Sequence, residues 1–228
     1  YDQLIHDIAL QDLDVTLAID RAGLVGQDGP THHGTFDLSY LRCIPNMVIG
    51  APSDENQCRH MLQSAWLHKG PAAIRYPRGE GRGVPIDSSL SPLDIGKGEV
   101  LREGRDIAIL NFGVLLDQAL IAAETLNASV IDMRWVKPLD EALILSVAER
   151  HHCLITLEEN AIAGGAGSSV AEFIAQSGAS CTVRHIGIPD TFIAHAGQGE
   201  CRQLAGLTAE AIVAAAQTSV PMASQQTL

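Results

Sequence analysis

The chain has 228 residues, 46% of them hydrophobic, and a formal net charge of -12. That apolar content, with glycine and proline spread along the chain, suffices to bury a core, and the negative balance argues against a phosphate-backbone binder, because long-range repulsion opposes any local basic patch. No run approaches the roughly 18 to 20 uninterrupted apolar residues that a bilayer-spanning helix needs, so a soluble, cytoplasmic protein with neither nucleic-acid nor membrane partners is expected.

In chain order, Leu4, Ile5, Ile8 and Ala9 recur at helical spacing from the very start. The chain opens on Tyr1 rather than Met, and YDQLIHDIAL lacks the zones of a signal peptide; the expectation is that something upstream has been removed. Residues 15–19 read as a buried strand that empties into the loop 20–34, DRAGLVGQDGPTHHG, long, polar and glycine-punctuated as functional loops often are. A strand at 47–50 leads to a helix through Cys58, Met61, Leu62 and Ala65, with Ser53 as its expected N-cap. A strand at 72–76 then ends at Pro77 and Arg78, and 79–92, rich in Gly, Pro and Ser, reads as a linker. Beyond it, strands at 98–102, 107–112, 129–133, 154–157 and 182–186 alternate with helices near 115–126, 139–150, 168–177 and 207–217. This predicts an α/β protein of two domains, each a mostly parallel sheet flanked by helices, at 1–80 and 95–220, with a linker at 81–94 and a tail at 221–228.

Ligands of open parallel sheets gather beyond the carboxyl ends of the strands, and Arg21 and Arg78 each stand just past such an end. A guanidinium there suits a phosphate, whose oxygens accept two parallel hydrogen bonds; the alternative is a solvated rim residue or half of an ion pair. Asp28, His32 and His33 share the loop, so proton transfer near neutral pH stands against a turn built on Asp28-Gly29-Pro30. Glu158-Glu159-Asn160 before Gly164-Gly165-Ala166-Gly167 reads either as an anion-binding helix N-terminus or, preferably, as glycines that allow close packing. The five cysteines, Cys43, Cys58, Cys153, Cys181 and Cys201, contain no C-x-x-C pair and are expected to be reduced structural thiols, and no histidine spacing suggests a metal site.

The run AIDRAGLVGQDGPTHHGTFDLSYLRCIPNMVIGAPSDE, continued by GPAAIRYPRG, GKGEVLREG, VIDMRWVKPLDEALI, LITLEENAIAGGAGS and IGIPDTFIAHAGQ, resembles the transketolase superfamily, and within it the 1-deoxy-D-xylulose-5-phosphate synthase family. The resemblance implies an incomplete pyrimidine-binding domain followed by a transketolase C-terminal domain. It implies an enzyme that uses thiamine diphosphate and Mg2+ to condense pyruvate with D-glyceraldehyde 3-phosphate, releasing CO2, in isoprenoid precursor and thiamine biosynthesis. Matched by motif, Arg21 of DRAG and Arg78 of RYPRG hold the acceptor's phosphate, and Asp28 and His32 of QDGPTHHG orient substrate and assist proton transfer. Phe36 belongs to the support beneath the loop. The family's GDG-bearing cofactor domain and its activating glutamate match nothing here and are expected upstream of Tyr1; neither cofactor-binding nor metal-binding residues are assigned within these residues, and the piece alone is expected to be inactive. A homodimer is implied. Two other readings remain: a beta-type subunit of a 2-oxoacid dehydrogenase or split transketolase, and a non-catalytic dimerisation or anion-binding module.

Overall fold

The computed structural model describes residues 1–218, so the predicted tail at 221–228 lies outside the described residues. The opening helical pattern forms a π-helical segment, Leu4–Ala9, with Ala9 turned into the core. Next come β1 (Thr16–Ile19), α1 (Asp37–Arg42), β2 (Val48–Gly50), α2 (Glu55–Leu67) and β3 (Ala72–Arg75). β3 lies between β1 and β2, parallel to both, and all four of its residues are buried, as a strand covered on both faces must be. The second half contributes β4 (Glu99–Arg102), β5 (Asp106–Phe112), α3 (Leu116–Leu126), β6 (Ser129–Asp132), β7 (Trp135–Lys137), α4 (Glu141–Ala148), β8 (His151–Ala161), α5 (Ala166–Ser177), β9 (Thr182–Ile188), α6 (Gln198–Leu204) and α7 (Ala209–Gln217).

Five of these strands form a second sheet in the order β4-β6-β5-β8-β9, parallel except for the edge strand β4. The two mostly parallel sheets predicted from the alternation of elements are therefore both present. β7 was not anticipated: it leaves the second half and pairs antiparallel with β2, completing the first sheet in the order β1-β3-β2-β7. Three residues carry too little periodicity to mark a strand, and what makes it one is a partner more than eighty residues away. One hydrophobic cluster runs through both halves, joining Leu38, Leu41, Met47 and Ile49 to Leu110, Phe112, Ile131 and Leu154.

Ser53 is not the cap of α2. Asp54 fills that role, accepting from the Gln57 backbone N–H at 2.7 Å, while the Ser53 hydroxyl donates to Asp132 at 2.9 Å. Gln57 donates to the same carboxylate at 2.8 Å, so the start of α2 is tied to the end of β6. Burial holds the Asp132 carboxyl above its ordinary range in spite of those donors.

Candidate functional site

The carboxyl ends of β1 and β3 place the loop 20–34 and the segment from Tyr76 side by side, with the Ala22 amide donating to the Tyr76 carbonyl at 3.0 Å. The loop closes on itself at its base, where Gly23 donates to the Gly34 carbonyl at 2.7 Å and Gly34 donates back to Gly23 at 2.9 Å. Beneath it, Arg75 and Asp37 form a buried ion pair in which Arg75 Nε reaches both carboxylate oxygens, at 2.8 and 2.7 Å. The same guanidinium donates to the carbonyls of Gly34 and Glu159 at 2.8 and 2.7 Å. Nε and Nη2 of this buried charge are thus both matched, by a carboxylate and by two carbonyls.

Glu159, near the end of β8 and 2% exposed, fastens the loop to the second half. Its Oε1 accepts from the Leu24 amide at 3.1 Å, and Arg202 on α6 engages both oxygens at 3.0 Å. Only glycine fits opposite it: Gly23 has φ +72, and a Cβ there would lie 2.4 Å from Glu159 Cγ. Its neighbours act similarly. Asn160 accepts from the Leu38 amide at 3.1 Å, while Glu158 accepts from the Ala166 and Gly167 amides at 2.8 Å each. The α5 N-terminus is thus filled by the protein's own carboxylate, which favours packing over an anion site. Burial pushes the Glu158 carboxyl up to about 7 even so.

Of the four expected site residues, the structure joins two. Arg78 donates to the Asp28 carboxylate across fifty residues of sequence, and both side chains are exposed. Arg21, left-handed at φ +58, turns to Asp20 at 2.7 Å. His32 lies against the Thr31 hydroxyl at 3.0 Å. Among the described residues no hydrogen bond links Arg21 or His32 to the Arg78–Asp28 pair. His33 is the histidine built into the loop: its Nδ1 accepts from the Val25 amide at 3.1 Å, and burial holds its pKa below the ordinary imidazole range. Phe36 does not support the loop from beneath. It is 48% exposed and meets Phe192 edge to face at 6.3 Å, beside an apolar hollow of about 540 Å³.

A cleft of about 350 Å³ opens beside Arg78, between the two halves, with Glu55, Arg82, Asp117, Gln198 and Arg202 also on its walls. Arg82 pairs with Asp117. Glu55 is held below the usual carboxylate range by its own amide and those of Gly83, Arg82 and Val84, so it anchors the chain after β3 as one wall. Arg75, Gln198 and Arg202 were not legible as site residues, and Glu159 was read only as part of a helix start, since each acquires its role from a partner distant in sequence. A glutamate pair closing a buried strand was the one available signal.

A model of the transketolase C-terminal domain matches residues 96–212, and one of the transketolase pyrimidine binding domain matches residues 1–83. The chain belongs to the transketolase family. Among curated transketolase-family relatives it is similar to the 1-deoxy-D-xylulose-5-phosphate synthase of Pseudomonas syringae pv. syringae (strain B728a), 58% identical over 94% of this chain and 34% of that protein. That of Vibrio vulnificus (strain CMCP6) is 59% identical over 93% of this chain and 34% of that protein. The chain thus spans about a third of the length of the curated relatives it matches. A solved structure described as a split gene transketolase, inactive beta4 tetramer, superposes with a TM-score of 0.85 at 32% identity, over 96% of this chain and 71% of that one. No helix among the described residues is long and apolar enough to cross a membrane.

Proposed function

We propose that these residues form the acceptor side of a 1-deoxy-D-xylulose-5-phosphate synthase, a cytoplasmic enzyme that joins pyruvate to D-glyceraldehyde 3-phosphate with loss of CO2. The observation that carries the reading is Arg78 at the lip of the cleft, an exposed guanidinium at a strand end whose present partner is a carboxylate, the kind of group a phosphate replaces. Arg21 approaches the acceptor from the facing loop. Asp28 and His32 orient its carbonyl and hydroxyls and relay a proton. The high identity to synthases, against 32% to the split transketolase, supports the synthase reading over a beta-type subunit.

The complete enzyme of this reading works with thiamine diphosphate and Mg2+. The residues present do not fit a diphosphate–metal cradle: among the described residues no cluster of three or more His, Cys, Asp or Glu side chains is arranged to hold a metal ion. No step is therefore assigned to the cofactor here. The 228 residues alone are expected to be inactive, and the pyrimidine-binding and C-terminal domains are proposed at 1–80 and 95–220, of which 219–220 lie outside the described residues, with β7 of the second completing the sheet of the first. The exposed Phe36–Phe192 pair supports a homodimer.

The test is Arg78→Ala in the full-length enzyme. Acceptor KM rises by about two orders of magnitude, as befits a lost charge-assisted pair, and far more than decarboxylation of pyruvate is affected. An equal loss in both half-reactions refutes the reading.

A further inference from the structure

The segment 195–198 of the second half is the floor on which both walls of the acceptor site rest. A Cβ on Gly26 would approach the Gln198 amide nitrogen at 3.0 Å. Gln198, half-buried at the start of α6, lines the cleft and directs its side-chain amide to two carbonyls, that of Leu24 at 2.8 Å and that of Arg78 at 3.4 Å. A glutamine amide carries two N–H donors, one for each wall. Arg202 lies four residues on, hence on the same face of α6, and through Glu159 it fixes the Leu24 amide. The Leu24 carbonyl is therefore held by Gln198 and its amide by Glu159, which Arg202 fixes in turn, and the Gln198 side chain also reaches the backbone of the arginine proposed to bind phosphate.

We infer that Gln198 is a positioning residue for the acceptor: by bridging the Leu24 and Arg78 carbonyls it sets the span between the Asp28 loop and the Arg78 guanidinium. This rests on the reading of Arg78 as the phosphate ligand. Gln198 touches no reacting atom. Its role is to keep the guanidinium at one distance from the groups facing it, a requirement that a phosphorylated acceptor imposes and an unphosphorylated one does not.

The experiment uses the full-length enzyme with Gln198→Met, close in volume but without donors, and Gln198→Glu, of the same shape with an acceptor in place of the donor. Each folded variant, verified by its melting temperature, is expected to raise KM for D-glyceraldehyde 3-phosphate by roughly tenfold, the scale of one lost hydrogen bond. KM for unphosphorylated glyceraldehyde stays where it was, and in an Arg78→Ala background neither substitution adds a further increment. A wild-type KM in either folded variant overturns the inference, as does the same increment with the unphosphorylated acceptor or in the Arg78→Ala background. Arg78→Ala without effect on the phosphorylated acceptor overturns instead the phosphate reading beneath it.

Discussion

Arg78, just past β3, donates to the carboxylate of Asp28, which stands in the loop that follows β1. The guanidinium is thus already paired with an anion, and an incoming phosphate has to compete with it. Asp28→Asn removes the competing charge and keeps the shape. Inorganic phosphate should then inhibit the full-length enzyme several-fold more tightly, while turnover falls because Asp28 no longer serves the acceptor. Unchanged or weaker inhibition by phosphate in a steady-state titration would show that the pair does not gate the site.

The Arg75–Asp37 pair is buried on both sides and carries the base of the loop through Gly34. Removing one member strands a charge in the core, so Asp37→Ala is expected to cost about 3 to 5 kcal/mol. Urea unfolding followed by circular dichroism reads this directly. A loss below 1 kcal/mol would mean that water reaches the abandoned guanidinium.

Gly23→Ala forces a left-handed alanine against Glu159. The carboxylate must withdraw, releasing the Leu24 amide and loosening Arg202. A loss of roughly 1 to 3 kcal/mol is expected, together with faster hydrogen exchange at Leu24 and Val25. Wild-type protection of those amides would show that the clamp reforms around the methyl group.

Glu158 supplies a pH signature. Its carboxyl titrates at about 7 in the fold, against 4.5 for an unperturbed glutamate, so between these values the native state retains a proton that the unfolded chain has released. Stability from this group is full below pH 4.5 and declines as pH rises through 7, by on the order of 3 kcal/mol. Glu158→Gln cannot ionise. The unfolding free energy of the wild type minus that of the variant should therefore fall across this window; a flat difference would mean that the carboxylate is fully stabilised by the amides of α5.

What could be read in the sequence was whatever depends on near neighbours. β5, β6 and β8 announce themselves as apolar runs, and the loop at 20–34 by its glycines, because burial and turn chemistry act over a few residues. The end of β3 directed attention to Arg78 for the same reason. Asp28 was legible as a polar residue of the glycine-rich loop, but not as the partner of that arginine, because a contact across fifty residues belongs to the fold. Glu159 looked like part of a helix start because its true partners, Leu24 and Arg202, lie 135 and 43 residues away. Ser53 satisfied the pattern of an N-cap, but the next residue captured the free amide, leaving the hydroxyl for Asp132.

The course of β7 bears on what a break in this chain would do. Because a strand encoded after position 130 completes the sheet begun by β1, severing the backbone between 79 and 92 would not yield two self-sufficient lobes: the front piece would expose the flank of β2, and the rear piece would carry an orphan ribbon. Co-produced as separate polypeptides, they would reassemble through that shared sheet, strand complementing strand, as a nicked but intact whole.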